Sequence, residues 1–116
     1  MKVMKLEEIV RRLDLNVQCG KDRLDCEVTG GCASDLLSNV IATAKTGNVW
    51  ITMQVHVNIV AVAVLKELAA IIIAQGRTPA EDTLRKAQEE KVTIVVSDLP
   101  TFEISGKLYA LGVGVT

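Results

Sequence analysis

The chain has 116 residues, of which 49% are hydrophobic and 23% charged, with a formal net charge of −1 at pH 7. That length suits one domain with one core, and the balanced charge offers no electrostatic pull toward nucleic acid or an anionic membrane. Trp50, Phe102 and Tyr109 are the only aromatic residues, too few for a base-stacking platform.

The opening "MKVMKLEEIVRRLDL" carries charge throughout and has no apolar block, so no signal peptide and a cytoplasmic location are expected. Within it, Leu6, Ile9, Val10 and Leu13 recur at helical spacing and predict a first helix. "NVQC" and "CEVT" follow as short strand candidates around the polar turn "GKDRLD". Thr29-Gly30-Gly31 reads as a turn from the second of these strands into a helix capped near Ser34 or Asp35. That helix is expected to turn Leu36, Leu37, Val40, Ile41 and Ala44 inward and to stop at Gly47. "VWITM" reads as a buried strand.

The most apolar stretch is "VHVNIVAVAVLKELAAIIIAQG", Val55 to Gly76. Its longest apolar run, Ile59 to Leu65, is far short of the roughly 20 residues of a membrane span. Lys66 and Glu67 would also lie near the middle of any such span. It divides instead into a helix over Asn58–Leu68, with Asn58 as N-cap, and "AAIIIA", a central strand covered on both faces. Thr78, Pro79 and Glu81 have the spacing of a capping box for the next helix. "VTIVV" is a further strand, and a last helix is expected from Thr101 to Gly112, with Phe102, Leu108 and Leu111 inward.

This alternation predicts an α/β fold: one domain over residues 1–116, with a mainly parallel sheet of about five strands and helices on both faces. Ligands of such sheets collect at the strand carboxyl ends. Thr29, Gly30, Gly31, Gln54, His56, Asn58, Gly76 and Arg77 are expected to converge there, as a candidate site for a nucleotide or other phosphate-bearing metabolite. Gly30 and Gly31 suit close approach of backbone N–H groups to phosphate, and equally a turn that simply needs positive φ. Arg77 supplies the full positive charge on that edge.

The remaining reactive residues admit two readings. Cys19, Cys26 and Cys32 form no Cys-x-x-Cys pair, and a single histidine cannot complete a zinc set, so they read as reduced thiols. A redox or metal role would need ligands from a second chain. Cys32 at a helix entrance and His56 as a base would make an enzyme or redox-complex subunit; the plainer reading of His56 is a turn residue or interface contact. No Walker loop, nucleophile elbow or HExxH occurs, so no catalytic residue, metal or cofactor is expected.

Three stretches carry a family resemblance: "VTGGCASDLLSNVIATAKTGNVWIT", "HVNIVAVAVLKELAAIIIAQGRTP" and "VTIVVSDLPTFEISGKLYALG". In this order, from Val28 to Gly112, they resemble the DRTGG domain, with Glu27-Val28 standing where the signature has Asp-Arg and Ala74-Gln75-Gly76 where members tend to have Thr-Gly-Gly. It is also similar to the N-terminal domain of HPr kinase/phosphorylase and to modules in phosphotransacetylases and CBS-domain pyrophosphatases. The resemblance implies a non-catalytic regulatory or interaction module, a homodimer, and a partner protein. It brings no catalytic residues with it.

Overall fold

The computed structural model describes residues 3–115; Met1, Lys2 and Thr116, which the one-domain reading of 1–116 takes in, lie outside them. The elements run β1 (Met4–Lys5), α1 (Leu6–Arg12), β2 (Asn16–Cys19), β3 (Glu27–Val28), β4 (Gly30–Ala33), α2 (Leu37–Thr43), β5 (Asn48–Thr52), α3 (Asn58–Lys66), β6 (Ala70–Ile73), α4 (Glu81–Glu90), β7 (Ile94–Val96) and α5 (Thr101–Ala110). Five strands form one sheet in the order β2-β7-β6-β5-β4, and β1 pairs with β3 in a small antiparallel ribbon. The pairs β4–β5, β5–β6 and β6–β7 are parallel; β2 joins β7 antiparallel.

The "AAIIIA" run is the central strand β6, all four of its residues buried. Alternation along the strands divides the core in two. Val49, Ile51, Ala70, Ile72 and Val95 meet Leu6, Ile9, Ile104 and Leu108, placing α1 and α5 on one face. Trp50, Ile71, Ile73 and Ile94 meet Val40, Ile59, Ala63 and Ala87, placing α2, α3 and α4 on the other. Trp50 is fully buried, and its indole N–H donates to the Ser34 carbonyl at 2.8 Å.

Several local expectations are corrected. Gly30 and Gly31 begin strand β4 and do not form a strand-to-helix turn. Helix α2 starts only at Leu37, so Val40 and Ala44 point inward while Leu36 and Ile41 are exposed. It is over by Ala44, ahead of Gly47, whose positive φ serves the turn into β5. A Cβ on Gly47 would come within 2.8 Å of Thr29 Oγ1.

Asn58 is the first residue of α3 and not its cap; Val57 holds that position without a side-chain hydrogen bond. The capping box of Thr78 does not form. Helix α4 opens at Glu81 because Ala80 donates its N–H to the Val55 carbonyl at 3.1 Å, and Thr83 Oγ1 donates to the same oxygen at 2.8 Å. These bonds tie the segment to the loop after β5. In α5 the buried positions are Ile104 and Leu108, one turn apart, and Phe102 is 88% exposed.

Candidate functional site

The register fixes which end of the sheet each predicted site residue occupies. Gly30 pairs with Asn48, the first residue of β5, and Ala33 with Ile51 near its end. Thr29, Gly30 and Gly31 therefore sit at the amino end of the parallel strands. Gln54, His56 and Asn58 follow the carboxyl end of β5, and Gly76 and Arg77 that of β6. The eight residues do not converge; they split between opposite edges.

At the carboxyl edge, a cavity of about 230 Å³ is lined by Asp35, Met53, Gln54, Val55, His56 and Arg77. Asp35 organises it: Oδ1 accepts from Thr52 Oγ1 at 2.8 Å and from the Met53 N–H at 2.7 Å. The Gln54 side-chain amide donates to the Asp35 carbonyl at 3.1 Å, and its backbone N–H donates to Thr52 Oγ1 at 3.1 Å. Arg77 Nη1 donates to the Met53 carbonyl at 2.8 Å, which holds the guanidinium over the end of β5. His56 is exposed on the rim.

Behind Arg77, the loop after β6 is stitched to the loop after β7. Gln75 and Gly76 both have positive φ, and their N–H groups donate to the Leu99 and Ser97 carbonyls at 2.9 and 2.7 Å. A Cβ on Gly76 would lie 2.9 Å from Asp98 Oδ1, so a side chain there would push that carboxylate aside. Asp35 was missed in the sequence because it was read as a helix cap. Its position just past the end of a strand is the signal that, with β4 correctly placed, would have found it.

At the other end, Thr29 is occupied structurally. Its Oγ1 donates to the Thr46 carbonyl at 2.8 Å and accepts from Asn48 Nδ2 at 3.3 Å. A groove of about 470 Å³ runs from here along β4, with Lys45, Cys32, Ser105, Tyr109 and Gly114 on its walls. Ser105 Oγ is buried there without a hydrogen-bond partner.

Cys32 thus lines this groove, whereas His56 lines the carboxyl-end cavity; the two are not brought together. Burial pushes the Cys19 and Cys26 thiols up from their ordinary range, which disfavours the reactive thiolate. All three cysteines are free. Among the described residues, no three His, Cys, Asp or Glu side chains come together as a metal-binding group. No helix among them is long and apolar enough to cross a membrane.

No curated protein matches the chain. Among solved structures, it is similar to the CBS and DRTGG domains of the regulatory region of Clostridium perfringens pyrophosphatase, crystallised with the activator diadenosine tetraphosphate. The likeness has a TM-score of 0.69 at 15% identity over 90% of this chain, which spans only 45% of that one. The family model of the DRTGG domain matches residues 8–111. The whole five-stranded sheet and every helix but the start of α1 fall within that match, with β1 outside it, and the chain belongs to the DRTGG domain family.

Proposed function

We infer that this chain is a non-catalytic, homodimeric regulatory module of the cytoplasm. In this reading it binds a nucleotide or other phosphate-bearing metabolite at the carboxyl-end cavity. The observation that carries the reading is one concave site holding both Arg77 and Asp35. A guanidinium suits phosphate oxygens, and a carboxylate suits the N–H or O–H donors of a base or sugar, so a nucleotide satisfies both where free phosphate would face a like charge. Gln54 and His56 add polar groups on the same walls. At about 230 Å³ the space takes one phosphorylated end of a nucleotide; whole drug-sized ligands fill about 300–1,000 Å³. The activator in the similar pyrophosphatase regulatory region supports the ligand class.

Thr29, Gly30 and Gly31 drop out of this proposed site because they lie at the other edge. Asn58 and Gly76 stay near it as backbone neighbours of His56 and Arg77. An amide-shift titration with AMP, ATP and diadenosine tetraphosphate tests the reading. Gln54, His56, Gly76 and Arg77 should shift together, and Arg77→Ala should weaken the response at least tenfold. Shifts confined to Thr29–Gly31, or none at millimolar ligand, would remove the ligand claim.

The enzyme reading needs Cys32 and His56 to cooperate, and they line different cavities. The chain alone should release no phosphate from ATP or acetyl phosphate. Turnover above blank that vanishes in Cys32→Ser or His56→Ala, with the fold intact, would promote the enzyme instead.

A further inference from the structure

The groove at the amino edge lies apart from the carboxyl-end cavity and shares no residue with it. At about 470 Å³ it falls within the roughly 300–1,000 Å³ of small-molecule sites. Its back is closed along β4. Val113 is a β-bridge residue, and a Cβ on Gly114 would stand 2.8 Å from the Gly30 Cα. Ile51, Leu108 and Val113, all core residues, give the groove an apolar floor. Helix α5 leaves the carboxyl edge after β7 and runs back to the amino edge, so it forms one wall, with Ser105 and Tyr109 a turn apart.

The polar side chains of the walls divide into those already satisfied and those left over. Thr29 Oγ1 donates to the Thr46 carbonyl and accepts from Asn48 Nδ2, while Asn48 Oδ1 accepts the Lys45 backbone N–H. Thr43 Oγ1 donates to the Asn39 carbonyl at 2.8 Å, which leaves it to accept from the Cys32 thiol at 3.8 Å. Ser105 Oγ is different. It is buried without a partner among the described residues, not even the carbonyl one turn back in its own helix, the usual outlet for a helical hydroxyl. Buried hydroxyls in folded proteins are ordinarily paired, so an orphan lining a groove marks where a ligand atom belongs. Lys45 is also left over. Among the described residues it is the one charged side chain of the walls and forms no ion pair.

We propose that this groove binds a small organic monocarboxylate, with Lys45 as its counter-ion and the Ser105 hydroxyl as its buried hydrogen-bond donor. The hydrocarbon body of the acid lies on Ile51, Leu108 and Val113.

Charge and polarity select that class. A phosphate group brings about −1.5 to −2 charges and would leave part of them unmatched beside the apolar floor, where unpaired charge is costly. An amine would face Lys45 with like charge, and a pure hydrocarbon would leave Ser105 unpaired. One carboxylate matches one ammonium, and its oxygens accept from a hydroxyl in a charge-assisted bond. No residue of the carboxyl-end cavity takes part, so this site stands whether or not a nucleotide binds there.

Isovalerate, benzoate and phenylacetate, each against its own amide, test the site by amide-shift titration of the full chain. Acid and amide share a shape and differ in charge. At least one acid should move Gly30, Gly31, Ser105 and Gly114 together, with a dissociation constant below about 1 mM, and leave Gln54 and Arg77 unmoved. Its amide, and the acid on the Lys45→Gln variant, should each bind about tenfold more weakly, the loss of a charged hydrogen bond. Ser105→Ala gives a readout that a purely structural serine would not. Removing an unpaired buried hydroxyl should hold or raise the melting temperature, yet binding of the acid should fall about fivefold.

Equal affinity for acid and amide, or binding untouched by both substitutions, overturns the proposal. So do shifts confined to the carboxyl edge, or none from any of the three acids at tens of millimolar. AMP moving these same residues at lower concentration than every acid would assign the groove to a nucleotide instead.

Discussion

Ile72→Ala and Leu65→Ala are a matched pair that test whether the sheet's centre, and not the apolar helix in front of it, holds the fold together. Ile72 is fully buried in the middle strand, facing α1 and α5 between β5 and β7. Truncation to alanine removes three carbon groups, a transfer loss of about 2.4 kcal/mol at about 0.8 kcal/mol per group. Strands on both sides prevent the site from collapsing, so a cavity contribution brings the total into the upper half of the roughly 2–5 kcal/mol range. For a chain of this length that lowers the melting temperature by about 15 °C.

Leu65 belongs to the same apolar run in the sequence, yet it is 64% exposed at the end of α3. With about a third of the same area at stake, its truncation should cost under about 1 kcal/mol. Urea titration at one fixed protein concentration, with the m-value checked for constancy, measures both. Equal losses for the two variants would refute the reasoning, because the burial contrast between β6 and the outer side of α3 would then have no energetic counterpart.

Other outcomes follow from the same structure. Asn48→Ala should destabilise by about 1–3 kcal/mol, since buried Asn48 accepts from the Lys45 N–H at 3.0 Å and donates to Thr29 Oγ1 at 3.3 Å. Cys19 and Cys26 should react with iodoacetamide more slowly at pH 8 than free cysteine, because burial raises both thiols and shrinks the thiolate fraction. The same shifts carry a sign for stability. The unfolded thiols lose protons first, so stability is full below the ordinary value of 9.0 and falls as pH rises above it. A urea midpoint rising between pH 8 and 10 would contradict that sign. Gly76→Ala should weaken nucleotide-induced shifts at Arg77, since the new Cβ meets Asp98 and strains the positive-φ turn.

What the sequence revealed and what it concealed divide along a physical line. "AAIIIA" and "NVQC" were legible because burial on both faces, or alternation between polar turns, is written into the run itself. Helix starts were less legible. The Thr78 box is a local signal, and two hydrogen bonds to the Val55 carbonyl, 25 or more residues earlier, override it. Gly30-Gly31 misled most. Glycine signals a turn when only neighbours in sequence are considered. Here it marks close approach: a Cβ on Gly30 would stand 3.2 Å from Asn48 Nδ2 and 3.8 Å from the Gly114 Cα. Because that one pair was misplaced, three of the eight predicted site residues were assigned to the wrong edge, and Asp35 was passed over.

The strand order has a consequence for how the chain reaches this state. β2, near the beginning of the sequence, pairs with β7, so Asn16 meets Val96 across 79 intervening positions. The pairing of β2 therefore cannot form until almost the whole polypeptide is available, and the sheet face that α1 packs on, which includes Val95, is incomplete before then. Parallel pairs add crossovers that each require loop closure before any ladder bond rewards it. Emerging from the ribosome, the first half carries Leu6, Ile9 and Val28 with their eventual covering incomplete, an interval of exposure that ends only with β7 and α5 in place.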